Sequence, residues 1–376
     1  MSVFTVFFCG TGSNKFDTLN NSYWDGELVS RLASQMANRE YADWTIIDGP
    51  GSGNLQADDL FTAPGGYGMT GTLFGKGWEE NVSHAVNMIK GHTTWARKTL
   101  NQKDYDRLKN AGVPIADVET QGSWLWRTYN YGNRKISQQE LQEAIIKQFR
   151  KGGIIPKQVN LVGWSRGGIS CHMLANAMLA DPALKHINVN IFAIDPVPGA
   201  LNFQKERVKL GANVKQYVGF YARDERSKGF SCVIPETAPG TAMHIYPMAG
   251  RHATLVGNAA IDGANGRKAV VEPGLIIRHY AEQCLMRWGA PLKGTLNLSS
   301  AKIDEYLRAI AKDEKAYVNM RNASYTVITE HEKGERYVSL VDKGVKFSAV
   351  TGVAFQPTAG LGAPVAPNSA YHKPIS

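Results

Sequence analysis

Residues 163–167 read Gly163-Trp164-Ser165-Arg166-Gly167, a G-x-S-x-G pattern. Val159-Asn160-Leu161-Val162 before it has strand character, and Ile169, Met173, Leu174, Ala177, Met178 and Leu179 after it share one broad helical face. A serine set in a sharp strand-to-helix turn is lifted to the sheet edge with its hydroxyl presented outward. Such a turn leaves no room for side chains two positions either side, and glycine stands at both. The same turn aims the N–H of Arg166 at the oxygen of a carbonyl under attack. Gly168 gives the helix further room against the sheet. The chemistry this spacing predicts is nucleophilic attack by Ser165 on an acyl carbon.

A serine hydroxyl is a weak nucleophile at neutral pH. It needs a base to take its proton and a carboxylate to orient that base. Downstream of Ser165, successive strand ends offer Asp195, then Asp224, then His252, which is the order Ser, acid, His. His252 is the expected base because Gly250-Arg251-His252 forms a loop between a strand and a long helix. Its main rival, His244, falls within a strand, while His279 and His172 fall within helices. The acid stays open between two residues. Asp195 stands abruptly at a strand end in Phe-Ala-Ile-Asp-Pro-Val-Pro and is the first choice; Asp224 follows the later strand. Without a catalytic part, Asp195 would cap the turn after it, and Asp224 would join a surface cluster with Arg223, Glu225 and Arg226. The second oxyanion donor is expected from the Gly10-Thr11-Gly12 turn after the first strand. Gly10–Lys15 lacks the G-x-x-x-x-G-K-[ST] spacing of a phosphate-binding loop.

The elements that must hold these residues alternate between strand and helix, which predicts an α/β fold with a mainly parallel sheet and helices on both faces. Strands are expected at Val3–Phe8, Trp44–Ile47, His186–Ile194, Val214–Ala222 and Ala242–Met248. Helices are expected over 27–38, 78–90, 274–288 and 301–318, and from a Ser137-x-x-Glu140 capping box through Arg150. Residues 62–77 are glycine-rich and read as loop. Residues 91–136, with Trp95, Trp124, Trp126, Tyr129 and Tyr131, read as an inserted cap, either a lid that touches membrane or a satellite core. Residues 325–330 and 336–341 read as hairpin strands around Lys333-Gly334, and the Gly-, Pro- and Ala-rich stretch from 351 as a tail. The expected organisation is a catalytic domain over 1–290, a C-terminal extension over 291–350 and a tail over 351–376.

The four cysteines show no metal spacing and no disulfide framework, so no metal or cofactor is expected and buried free thiols are. The net charge of +9 is dispersed, with no basic run interleaved with aromatics, so nucleic acid is not an expected partner while an anionic membrane surface is. No apolar run reaches the roughly 18 residues of a membrane span, and the N-terminus lacks a basic leader. Synthesis as a soluble cytoplasmic chain is expected, with export of the folded protein still open.

Several blocks together resemble one family. Phe7-Phe8-Cys9-Gly10-Thr11-Gly12-Ser13-Asn14 is similar to its opening strand and Asp-Gly-Thr-x-Asn turn. Asp48-Gly49-Pro50-Gly51-Ser52-Gly53, with Gly75-Lys76-Gly77-Trp78, resembles its second block. Gly163–Gly167 resembles its Gly-Phe-Ser-Arg-Gly elbow, Asp195-Pro196-Val197 its Asp-Thr-Val, Asp224-Glu225-Arg226 with Phe230 its Asp-Glu-Arg-Arg…Phe, and Gly250-Arg251-His252 its Gly-x-His. This is the α/β-hydrolase-like family that includes type VI secretion lipase effectors, and the blocks span roughly residues 3–257. Cys9 stands where the family has Asp, and Ala253-Thr254-Leu255-Val256-Gly257-Asn258 where it has Asp-Val-Gly-Gly-Gly. The resemblance implies a phospholipase effector with Ser165 as nucleophile and His252 as base, supports either acid, and implies secretion-machinery and immunity-protein partners. Two other functions stand beside it: a hydrolase-like binding protein without turnover, and a cytoplasmic esterase for small soluble esters.

Overall fold

The structure, a computed structural model, describes residues 2–40, 42–50, 78–91, 118–121, 128–131, 155–199, 202–323, 334, 336–339 and 344–346. In chain order the first elements are β1 (Val3–Phe8), α1 (Leu28–Ser34), β2 (Trp44–Ile47) and α2 (Trp78–Lys90). An antiparallel pair follows, β3 (Val118–Gln121) with β4 (Thr128–Tyr131). Next come β5 (Gln158–Trp164), α3 (Arg166–Ala180), β6 (Asn188–Ile194), the single turn α4 (Lys205–Val208) and β7 (Lys209–Leu210). They are followed by β8 (Val214–Ala222), β9 (Cys232–Val233), β10 (Glu236–Thr237) and β11 (Ala242–Met248). The C-terminal part holds α5 (Glu272–Arg287), α6 (Ser300–Lys312), α7 (Glu314–Met320), β12 (Tyr337–Ser339) and β13 (Gly344–Lys346).

Six strands form one parallel sheet in the order β11-β8-β6-β5-β1-β2. Period-2 alternation sends successive side chains to opposite faces. Phe4, Val6 and Phe8 of β1, Val159 and Leu161 of β5 and Ile191 of β6 meet α2 and α3 on one face. Phe7, Val162, Phe192, Val218 and Phe220 meet α1, α5, α6 and α7 on the other. The α/β architecture with helices on both faces is therefore present, and both faces of the strands read as apolar because both are covered.

The helices follow local sequence with two differences. The helix expected over 301–318 is broken at Asp313 into α6 and α7. Ile303, Leu307 and Ile310 of α6 and Tyr317 and Met320 of α7 all reach the same core cluster as the sheet, and one straight helix could not wrap both sets around it. The helix expected over 27–38 stops at Ser34, and Met36 instead makes a bridge to Leu292. The C-terminal strand expected over 336–341 is β12. It pairs antiparallel with β13 and parallel with β9. The other hairpin strand expected over 325–330, the loop over 62–77, the capping-box helix 137–150, the tail, and the insertion apart from the β3–β4 backbone lie outside the described residues. No helix among the described residues is long and apolar enough to cross a membrane.

From β1 the chain places β2 on one side, and then β5 on the opposite side of β1, with β6, β8 and β11 beyond it. Connections leave the carboxyl ends of β1 and β5 in opposite directions. Open parallel sheets form their binding crevice at such a switch point.

Candidate active site

Ser165 and Asp195 each stand one residue past the end of a central strand, β5 and β6. Both have positive φ, 58° at Ser165 and 42° at Asp195, although neither is glycine. Ser165, with ψ of −127°, sits outside the ordinary regions and opens α3 directly. Backbone hydrogen bonds enforce this: Ser165 N–H donates to Ile194 O at 3.0 Å and Val197 N–H to Ser165 O at 3.2 Å. The flanking glycines are small for reasons of packing. A Cβ on Gly163 would lie 2.3 Å from Gly167 O, and one on Gly167 would lie 2.2 Å from Phe8 O. The elbow is thus wedged against the end of β1, where Gly10 lies under the Trp164 ring.

His252 follows β11 and opens a short 3-10 turn over His252–Val256. Its Nδ1 lies 2.5 Å from Asp195 Oδ2. The ring is held between Trp164, with centroids 5.0 Å apart, and the edge-on ring of Phe230 at 5.1 Å. With Nδ1–H donating to Asp195, Nε2 carries the lone pair. Asp195 Oδ1 also accepts from Ala222 N–H at 2.9 Å.

Arg336, from the C-terminal segment, places Nη1 2.5 Å from Asp195 Oδ1 and Nη2 2.9 Å from Oδ2. Burial by itself would raise the Asp195 carboxyl. The Arg336 charge, with the hydrogen bond and charge of His252, outweighs it and holds the group well below the usual carboxylate range. Arg336 is in turn held above its ordinary value by Asp195, against the effect of burial.

Asp224, the other candidate acid, has its carboxylate engaged elsewhere. It accepts from Gly250 N–H at 2.9 Å and pairs with Arg223 and Arg321. Asp224, Glu225 and Arg226 are buried, so the surface cluster considered for them is not what forms. Glu225 accepts from Arg226 N–H at 2.9 Å, Ser227 N–H at 2.7 Å and His252 N–H at 3.3 Å. Arg251 Nε lies 3.6 Å from the same carboxylate. Burial raises the Glu225 carboxyl, and the charges of Arg251 and Arg336 bring it below its ordinary value. The Asp224-Glu225 pair therefore braces the loop that carries His252.

At the mouth of the switch point, the Arg166 guanidinium donates to Thr11 Oγ1 at 3.1 Å, and burial lowers its pKa to about 10. Arg166 is the first residue of α3, where N–H groups are not used by the helix itself. In the turn after β1, Gly12 N–H donates to Pro50 O and Ser13 N–H to Gly10 O. Among the described residues, the Gly10 and Thr11 N–H groups have no acceptor. Cys9 is buried with Sγ 3.8 Å from Ser30 Oγ, and burial, then the charges of Glu27 and Asp48, push its thiol up.

No protein-family profile and no curated protein matches this chain. Several solved structures share a distant likeness, among them two longer proteins. One is a crystal structure of an uncharacterized protein from Pseudomonas aeruginosa, 13% identical over 85% of this chain and 52% of that one, with a TM-score of 0.47. The other is the Tle1 effector bound to the VgrG spike of the type 6 secretion system, 15% identical over 68% of this chain and 50% of that one, with a TM-score of 0.31. The chain spans about half the length of each.

The tertiary structure thus gathers Ser165, Asp195, His252, Arg166, Gly10 and Thr11 at the ends of β1, β5, β6 and β11, and engages Asp224 in bracing the histidine loop. His244 lies in β11, His279 in α5 and His172 in α3, where it is bonded to Arg207 O and Tyr217 Oη. Sequence reasoning missed Arg336 and the bracing part of Glu225. Glu225 stood in a quoted motif block. Arg336 carried no local signal, as one of 42 lysines and arginines in a segment beyond the motifs. Among the described residues no group of three or more His, Cys, Asp or Glu is placed to hold a metal ion.

Proposed function

We propose that this protein is a serine ester hydrolase of α/β-hydrolase type. The observation that carries the reading is the Asp195–His252 pair at 2.5 Å beside a serine held at positive φ on a strand-to-helix elbow. Strain at a non-glycine residue persists only where surrounding structure over-determines it, and it concentrates at functional sites. Here the sheet fixes it at the switch point.

In this mechanism His252 Nε2 takes the Ser165 proton as Oγ attacks the substrate carbonyl carbon. Asp195 holds Nδ1–H and stabilises the imidazolium. The oxyanion is held by the Arg166 N–H and by the Gly10 or Thr11 N–H. Collapse of the tetrahedral intermediate transfers the His252 proton to the alkoxide that leaves, forming an acyl-serine. Water, deprotonated by the same histidine, then releases the carboxylic acid and restores Ser165.

Motif resemblance directs the substrate toward phospholipid acyl esters and the setting toward a type VI secretion effector. The dispersed charge of +9 supports approach to an anionic bilayer. The test is intact-mass labelling with a fluorophosphonate, alongside fatty-acid release from anionic phospholipid vesicles and from short-chain soluble esters. One adduct on wild type, absent from Ser165→Ala, with acid released from vesicles, is expected. Short-chain turnover alone would make the protein a small-ester esterase. Absence of any adduct on folded protein would overturn the hydrolase reading in favour of a binding protein.

A further inference from the structure

We propose that Arg336 is a positioning residue of this centre, so that the C-terminal segment completes the site by clamping its carboxylate. The inference rests on the hydrolase reading for its kinetic readout. Arg336 directly precedes β12, and β12 lies parallel to β9 with Val338 opposite Cys232 and Ser339 opposite Val233. Strand β9 is itself tied to the Asp195 turn, because Val233 N–H donates to Pro196 O at 2.9 Å. Strand pairing therefore delivers Arg336 to Asp195 from a stretch beyond every motif block.

The guanidinium makes four bonds there. Two run to the Asp195 oxygens; the others run from Nη1 to Ala222 O at 2.8 Å and from Nη2 to Phe230 O at 2.7 Å. One planar fork thus joins the Asp195 turn, the end of β8 and the loop whose Phe230 ring packs against His252. With Ala222 N–H and His252 Nδ1–H, four donors occupy the carboxylate. A carboxylate offers about four lone-pair directions, so this one cannot turn away from the histidine. Lysine would supply the charge without the fork.

The clamp also has an electrostatic effect. An imidazolium forming at His252 faces a carboxylate already compensated by Arg336, and is attracted to it less than to a bare one. The other charges about His252 are Glu225, paired with Arg251; Arg226 next to it; Asp224, held by Arg223 and Arg321; and Arg166 on the elbow helix. Of these, Glu225 and Arg226 also feel the Arg336 charge, which Arg336→Lys retains and Arg336→Met removes.

The test uses the full chain carrying Arg336→Met or Arg336→Lys, with melting to establish folding. It reads kcat and kcat/KM against pH, and the downfield proton resonance of the His252 Nδ1–H bond. In Arg336→Met, kcat is expected to fall about 100-fold as the carboxylate loses its orientation. The acid limb of the profile is expected to move up by about one pH unit, and the Nδ1–H resonance to broaden. Arg336→Lys is expected to keep the wild-type limb, because it keeps the charge, while losing about tenfold in kcat. A folded Met variant with an unmoved limb and a sharp resonance would overturn the proposal, whatever its kcat. If Met does not fold, the lysine variant decides: wild-type kcat and resonance would overturn it. If wild type neither labels nor turns over, the hydrolase reading fails, and the resonance alone decides the clamp.

Discussion

At the scale of single residues, Ser165 holds a backbone conformation that costs of order 1–3 kcal/mol for a side chain with Cβ. Glycine adopts it freely but loses about 0.5–1 kcal/mol to unfolded-state entropy. Ser165→Gly is therefore expected to raise unfolding stability by about 1 kcal/mol while abolishing ester turnover, and denaturant unfolding beside an activity assay checks both. A variant no more stable than wild type would mean that the elbow is not strained. The two candidate acids separate in the same way. Asp195→Asn removes the oriented carboxylate and is expected to cost about 10⁴-fold in kcat per folded molecule. It also takes from the buried Arg336 the carboxylate it is bonded to, which destabilises by about 3 kcal/mol. Asp224→Asn keeps an acceptor for Gly250 N–H and is expected to fall far short of that kinetic loss. Equal losses from the two variants would return the choice of acid to an open state.

At the scale of elements, α1 begins on a buried carboxylate. Glu27 accepts from Val29 N–H, Ser30 N–H and Ser30 Oγ, and burial raises its pKa from 4.5 to about 7 against those bonds. Its contribution to stability is full below pH 4.5 and is lost as pH rises towards 7, since the folded form holds the proton more tightly. His172 in α3 works in the opposite sense. Burial lowers its pKa from 6.5 to about 4, so its contribution is full above pH 6.5 and is lost as pH falls towards 4. The two trends oppose one another across the shared window. Glu27→Gln removes one of them, and the unfolding free energy is then expected to rise more steeply with pH between 4.5 and 6.5 than in wild type. Equilibrium denaturation at several pH values measures the slope, and an unchanged slope would show that Glu27 is ionised throughout.

At the scale of the molecule, the C-terminal helices are not an appendage to the sheet. Leu307, Ile310, Tyr317 and Met320 belong to the core cluster that also holds Phe192 and Phe220. Arg321 reaches Asp224 and Glu314 reaches Arg223, so the brace under the histidine loop is closed from the same region. All four cysteines are buried and free, and they are spread over the turn just after β1, α3, β9 and α5. A cooperative fold is expected to hide all four from a thiol reagent in the native state and release them together in denaturant. Stepwise release, with Cys284 ahead of Cys9, would instead mean that α5 opens independently of the sheet.

Glycine, serine and strand patterning acted within a few residues, and that is why the sheet strands, the strand-to-helix turn at Ser165 and the place of His252 just after a strand could be read from sequence alone. Local pattern also announced that Asp195 and Asp224 end strands, but not which one meets the histidine. That depended on β6 lying beside β5, so that its end faces the elbow, while Asp224 is drawn to Gly250 and Arg321. The break at Asp313, the register of β12 on β9 and the arrival of Arg336 at Asp195 are products of long-range packing. No spacing in the chain encodes a contact between residues 141 positions apart, because such a contact exists only after the sheet, the helices and the C-terminal strand have packed together.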